Sequence, residues 1–343
     1  MAVLKNDIFY KREMMDMSKV DRRSMLKASL AGGVAATLAS PLRAADRPLQ
    51  GKSILVTGAS SGFGYLGALH YARLGATVIA SMRNLPRPEA RALLAAAKDE
   101  KLALHVIEID VTSDAQVAKG VAAAERIAAG PLDVLINNAG IGYAGPIEVQ
   151  DMEATQLIFD TNVYGPHRMA RAVLPGMRQA KRGLIVNISS QLGRVIAPST
   201  GHYSPTKFAL EAMSEAMAYE LVPHNVEVSI VQPGGYPTNV WKNRNILARA
   251  LKDRLSAEAA AAYPALVARM GTEDASGRSA DPMDVPRAIA DIIALPAGSR
   301  PLRRAVHPGT KPQEAINRVS AETQLNWLGN SAFGPWVKAV HDG

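Results

Sequence analysis

Ser53-Ile54-Leu55-Val56-Thr57-Gly58-Ala59-Ser60-Ser61-Gly62-Phe63-Gly64 is the stretch on which the fold turns. A short apolar run stops at a glycine-rich turn, and Tyr65 to Leu74 then carries apolar residues at helical spacing until Gly75. Glycines at 58, 62 and 64 allow the backbone to approach a pyrophosphate, and the helix that follows offers its N–H groups and partial positive charge to the same anion. Because the turn sits between a strand and a helix, it predicts a nucleotide-binding βα unit.

The pattern repeats downstream. Ala76 to Ser81 is a second strand ending in Met82-Arg83, and a helical stretch follows over Glu89 to Ala97. Ala103 to Ile109 is a third strand, closed by Asp110-Val111, after which Thr112 or Ser113 caps a helix running to about Ala129. Asp133 to Asn137 is a fourth, closing on Asn138-Ala139-Gly140. Strands alternating with helices predict an α/β fold of the Rossmann type: one doubly wound parallel sheet of about seven strands, helices on both faces, in a single domain over residues 46–310. A carboxylate at the end of the second strand would bind ribose hydroxyls and repel a 2′-phosphate. Met82-Arg83 stands there instead, which favours NADP over NAD.

Asp151 to about Met177 reads as a long helix containing Asn162 and locally perturbed by Pro166. The apolar run Gly183 to Ile188 is a buried strand that delivers Ser190 at its end, and Gly201-His202-Tyr203-Ser204-Pro205-Thr206-Lys207 opens another helix. Tyr203 and Lys207, four apart, share one face of it. A phenol is a poor acid or base near neutrality, and a neighbouring ammonium is expected to pull its pKa down, while the Ser190 hydroxyl holds a substrate oxygen. Glu227 to Val231 is a further strand closing on Gln232-Pro233-Gly234, with Thr238 beyond it. Residues 236–281 then break the rhythm, with Tyr236, Trp241, Ile246, Leu247, Leu251 and Leu255 spaced as an amphipathic lid, the mark of a functional segment. Val285 to Leu295 is a helix, Pro301 to Val306 a last strand, and residues 311–343 a tail whose Trp327 and Trp336 are expected to dock it.

Residues 1–45 differ from all that follows. Arg22-Arg23 precedes Ser24-Met25-Leu26-Lys27, then comes an uncharged Ala/Gly-rich run from Ala28 to Leu42 and the small-residue exit Arg43-Ala44-Ala45. This order resembles a twin-arginine export signal, with Asp21 and Met25 departing from its usual residues, and predicts a periplasmic protein with no membrane span once the signal is removed. The formal charge of +8 is no nucleic-acid footprint, since residues 1–45 alone hold eight basic and four acidic residues, half of that excess, and aromatic residues are only 5% of the chain. Without cysteine the chain has no disulfides or thiolate ligands, and its seven histidines are scattered, so no metal is expected.

In order and spacing, Thr57-Gly58-x-x-x-Gly62-x-Gly64, Asn137-Asn138-Ala139-Gly140, Asn162, Ser190, Tyr203-x-x-x-Lys207 and Pro233-Gly234 with Thr238 resemble the short-chain dehydrogenase/reductase family over about residues 50–308. The resemblance implies a homo-oligomeric oxidoreductase, dimer or tetramer, acting on a small-molecule alcohol or carbonyl. It implies that Tyr203 is the general acid/base, that Lys207 lowers its pKa and binds the nicotinamide ribose, that Ser190 orients the carbonyl oxygen, and that Asn162 holds a relay water. Gly58, Ser60, Ser61, Gly62, Gly64, Arg83, Asp110 and Val111 would then face the adenosine end, Asn137 the ribose, and Pro233, Gly234 and Thr238 the carboxamide. Likeness to retinol- and hydroxysteroid-type dehydrogenases puts forward a lipophilic substrate lined by Tyr143, Gln191, Leu192, Val195, Tyr236 and Trp241. The alternatives are a nicotinamide-nucleotide sensor without turnover, and an epimerase or dehydratase on the same scaffold.

Overall fold

The computed structural model describes residues 47–342; the predicted export segment lies outside the described residues. Seven parallel strands form one sheet in the order β3-β2-β1-β4-β5-β6-β7. They are β1 (Ser53–Val56), β2 (Thr77–Met82), β3 (Leu104–Glu108), β4 (Val134–Asn137), β5 (Gly183–Ile188), β6 (Val226–Pro233) and β7 (Arg303–Val306). The central strands are apolar because both faces are covered. On one side α1 (Gly62–Arg73), α2 (Pro88–Asp99) and α10 (Asp284–Ala294) contribute Tyr71, Leu93 and Ile289. On the other, α3 (Asp114–Ile127), α5 (Gly165–Ala180) and α6 (Tyr203–Leu221) contribute Val121, Val173 and Ala218. The doubly wound sheet read from the sequence is therefore the fold. Its strand order reverses between β1 and β4, and such a switch point opens a crevice at the carboxyl ends of the strands.

Three departures from the sequence reading have physical causes. The long helix expected over 151–177 is three pieces: α4 (Met152–Phe159), a π-helical turn (Asp160–Tyr164) and α5. The wider turn contains Asn162 and lets Pro166 enter at the start of α5, where a missing N–H is harmless. Residues 236–281 form α7 (Val240–Lys252), α8 (Ala257–Ala262) and α9 (Pro264–Arg269), whose Ala248, Leu251 and Val267 make a third apolar cluster with Tyr143, Val149 and Ile158 from the β4–α4 region.

The tail forms α11 (Gln313–Leu328) and α12 (Gly334–His341), and it docks by other residues than its tryptophans. Gln313 and Val337 are buried and His341 Nε2 lies 2.7 Å from the Tyr219 hydroxyl, whereas Trp327 stays 74% exposed. No helix among the described residues is long and apolar enough to cross a membrane.

Candidate active site

The crevice is built by two turns stitched together. Thr57, at the end of β1, accepts hydrogen bonds from the Asn138 and Ala139 amides on its hydroxyl (3.0 and 3.1 Å), and the Asn138 side chain donates to the Thr57 and Gly58 carbonyls (2.9 and 3.1 Å). This pairing leaves no room for side chains on the glycine turn: a Cβ on Gly58, whose φ is +68°, would lie 2.8 Å from Ala139 Cα, and one on Gly64 would lie 2.5 Å from Asn138 Nδ2. Ser61 makes no side-chain cap to α1, so the first N–H groups of that helix face the crevice unpaired. Thr238 stands opposite, 3.6 Å from where a Gly62 Cβ would be. A backbone cradle, a free helix N-terminus and a facing hydroxyl are what a dinucleotide pyrophosphate requires, so the residues present fit a nicotinamide cofactor.

Around this cradle the other cofactor candidates take different positions. Ser60 and Ser61 are half-buried in the turn. Arg83 is exposed just past β2 and forms no ion pair among the described residues, its neighbour Arg87 being paired with Glu89 at 2.9 Å. Asp110 Oδ1 accepts from the Thr112 amide and hydroxyl (3.0 and 2.7 Å), while Ser113 caps α3. Val111 is buried beneath the crevice, where a Cβ on Gly165 would come within 2.8 Å of it. Asn137 donates to Asn187 at 2.8 Å, and Asn187 in turn to Ser214 at 2.8 Å, which leaves Asn137 Oδ1 buried without a partner. Pro233 ends β6, and Gly234 lies against the His307 ring.

The four catalytic candidates converge at the carboxyl ends of β4 and β5. Asn162, buried in the π-helical turn, accepts from the Ile141 amide at 2.9 Å and donates to the Ile141 carbonyl at 2.8 Å and to Thr206 Oγ1 at 3.2 Å. Tyr203 is the first residue of α6, and one turn on the buried Lys207 donates to the Ile188 carbonyl at 2.8 Å with its ammonium 5.7 Å from the Tyr203 ring centroid. Burial pulls the Lys207 amine down to about 8, Glu211 working against it. Ser190 accepts from the Leu192 amide at 3.1 Å.

The electrostatics of Tyr203 differ from the expectation that Lys207 draws its pKa down. Burial pushes the phenol up, and the groups that oppose burial are the Ser190 hydroxyl and the charge of Arg244. Lys207 is turned toward Ile188, whereas the Arg244 side chain comes to the same Gly142 that Tyr203 abuts.

Of the pocket candidates, Gln191 and Leu192 lie in the short helical turn (Gln191–Gly193) that follows Ser190, with Val195 just beyond, all three half-buried. Tyr143 is buried in the third apolar cluster. The half-buried Trp241 ring lies between the guanidiniums of Arg244 (5.6 Å) and Arg278 (3.8 Å). Tyr236 is not brought to them: it is 2% exposed, packs edge-on to Phe63 and His307, and points its hydroxyl at Asp284, so it belongs to the core under α1 and α10.

Sequence reasoning missed Arg244, although a signal existed. Trp241, Arg244, Ala248 and Leu251 fall at helical spacing, which puts one arginine on the inward face of α7. It missed Asn187 and Glu273 as well, for which there was no such cue.

The family model described as short chain dehydrogenase matches residues 52–247, more than half of the chain. The 3-ketodihydrosphingosine reductase of Bacteroides thetaiotaomicron is 39% identical over 200 residues, which span 58% of this chain and 69% of that protein. The mitochondrial D-beta-hydroxybutyrate dehydrogenase of Mus musculus is 36% identical over 211 residues, 59% of this chain and 60% of that one. Among solved structures, a metagenomic short-chain oxidoreductase in complex with NADP superposes with a TM-score of 0.60 at 25% identity, covering 77% of this chain and all of that one.

Proposed function

Since the chain belongs to the short-chain dehydrogenase family, an oxidoreductase acting between CH–OH and C=O with NAD(P), we propose that it is an NADP(H)-dependent enzyme for a lipophilic alcohol or ketone with Tyr203 as its general acid/base. The observation that carries this reading is the convergence of Asn162, Ser190, Tyr203 and Lys207 at one end of the sheet, beside a crevice shaped for a dinucleotide.

The bound nicotinamide supplies or accepts the hydride. The chain's own residues handle the oxygen and its proton. The Ser190 hydroxyl and the Tyr203 phenol would present two O–H donors to one carbonyl oxygen. Tyr203 gives its proton to that oxygen during reduction and takes it back during oxidation. Lys207 uses one N–H on Ile188, which fixes the amine and leaves its other donors for a ribose hydroxyl and for water. Asn162 clamps Ile141 to the π-helical turn beside Lys207 and so keeps the proton path in register.

NADP preference rests on Arg83, exposed and without an ion-pair partner among the described residues, at the strand end where no carboxylate repels a phosphate. A lipophilic substrate rests on the half-buried Leu192, Val195 and Trp241 and on the apolar cluster that holds Tyr143 and against which Tyr203 packs. We also propose export by the twin-arginine route, on Arg22-Arg23 and the Ala/Gly-rich run that follows.

Tyr203→Phe tests the core of the proposal, since it keeps the ring and removes the proton. It is expected to abolish NADPH oxidation across a panel of lipophilic carbonyls while leaving cofactor affinity within about fivefold, a single lost hydrogen bond to a neutral group being worth roughly 1 kcal/mol here. Turnover equal to wild type would refute it; a wild type that binds cofactor tightly yet reduces nothing would support the sensor reading.

A further inference from the structure

The Arg244 guanidinium is buried and ties four parts of the chain at one point. From α7 it donates through Nε to the Tyr143 carbonyl of the β4–α4 loop (3.2 Å) and through Nη2 to the Ser199 carbonyl ahead of α6 (3.4 Å), and its Nη1 pairs with Glu273 beyond α9 (2.8 Å). Its side chain is only 14% exposed, and Gly142 is the residue that it and the Tyr203 ring both abut, at 3.7 and 3.6 Å from a Cβ built there. Nothing smaller than this arginine would reach all three carbonyl and carboxylate partners. An isolated guanidinium is costly to bury, so its retention on the inward face of α7 asks for a role.

We propose that Arg244 is a positioning residue for the reaction, latching the 236–281 segment over the site through the Tyr143 and Ser199 carbonyls, braced from within the segment by Glu273, and setting its positive charge beside the Tyr203 phenol. This deepens the reading of Tyr203 as acid/base and rests on it. The latch and the field act together: when the segment is closed, the guanidinium stands where it favours the phenolate, and when it opens, that charge leaves.

The groups facing Tyr203 are Ser190 from the end of β5, Lys207 one turn along α6, and Arg244 from α7, with Glu273 and Arg278 behind the last; the preceding His202 is held by Gln150 at 2.6 Å. Removing the Arg244 charge therefore raises the phenol pKa. Removing the Glu273 charge unmasks Arg244 and lowers it.

The test is the pH dependence of kcat/KM for alcohol oxidation, which rises as Tyr203 loses its proton, measured on wild type, Arg244→Gln, Arg244→Lys and Glu273→Gln, with NADP+ binding followed in parallel as a check on folding. Arg244→Gln is expected to move the rising limb to higher pH by about one unit, the shift typical of losing one opposite charge at close range. Arg244→Lys restores most of it. Glu273→Gln, which removes the charge and keeps the side chain's size, moves the limb to lower pH. A latch without an electrostatic role would raise KM in both glutamine variants and leave the limb in place, and that result overturns the proposal. If Arg244→Gln does not fold, Glu273→Gln decides alone: an acid shift supports, no shift overturns. A wild type without turnover removes the acid/base reading and the latch together, whereas an active wild type, a dead Tyr203→Phe and unmoved limbs remove only the latch.

Discussion

Arg303→Met should unfold the enzyme more readily than any surface substitution, because it deletes one cation from a closed polar network behind the catalytic helix. Arg303 bonds Glu211 at 2.8 Å and Glu215 at 2.6 Å, with the three side chains 6%, 2% and 10% exposed. Burial alone would push the Glu215 carboxyl up; the His341 imidazole 3.6 Å away, the Arg303 charge and a hydrogen bond from Tyr219 reverse this and bring it from the ordinary 4.5 to about 2. At 1.36 kcal/mol per pKa unit that difference corresponds to about 3 kcal/mol for Glu215. Without Arg303, Glu215 keeps Tyr219 at 2.5 Å, but Glu211 keeps only the Gln232 amide at 2.9 Å. Stranding a buried carboxylate typically costs about 3–5 kcal/mol, a large part of a total near 5–15, and a drop in Tm of roughly 10 °C.

The pH dependence gives the sign. A carboxyl depressed in the folded state contributes stability above pH 4.5 that is lost as pH falls through about 2, so wild type weakens over that window. In Arg303→Met burial of Glu215 is opposed by Tyr219 and His341 alone, so the variant should lose less stability than wild type as pH falls through that window. Urea denaturation followed by circular dichroism at pH 7, 4.5 and 3 measures both effects. A loss under about 1 kcal/mol at pH 7, or parallel pH curves for the two proteins, would refute the reasoning.

Arg83→Ala should weaken NADPH about tenfold to a hundredfold, the worth of one charge-assisted contact of ~1.5–3 kcal/mol, and leave NADH nearly unchanged in fluorescence titrations; tighter NADH than NADPH in wild type would overturn the assignment. For export, a mature form starting near Ala45 should appear in the periplasm of expressing cells and vanish in the Arg22→Lys/Arg23→Lys double variant, whereas full-length cytoplasmic protein in both would end that proposal.

How much of this was legible in the chain follows from the range of each interaction. Strands β1, β2, β4 and β5 were readable because a strand buried on both faces must be largely apolar along its length, and the turns that follow the strands carry their own chemistry at Gly58, Asp110 and Asn138. The π-helical turn at Asn162 was not readable. Its geometry is stabilised by hydrogen bonds to Ile141 and Thr206, 21 and 44 residues away, and no local pattern encodes those. Trp327 misled for the same reason: a large apolar side chain suggests burial, but whether a neighbour covers it is decided elsewhere in the chain.

By itself, then, the sequence determined a doubly wound sheet and put forward Ser190, Tyr203 and Lys207 as one candidate group, since these depend on periodicity and on spacing within one strand–loop–helix unit. Only the tertiary structure decided the electrostatic setting of the phenol. Lys207 is close in sequence and its ammonium is bonded to Ile188, while Arg244, forty-one positions beyond Tyr203, brings a second cation whose charge opposes the effect of burial on the phenol. Coulomb energy depends on distance through space and on burial, and a linear chain specifies neither until its segments have packed.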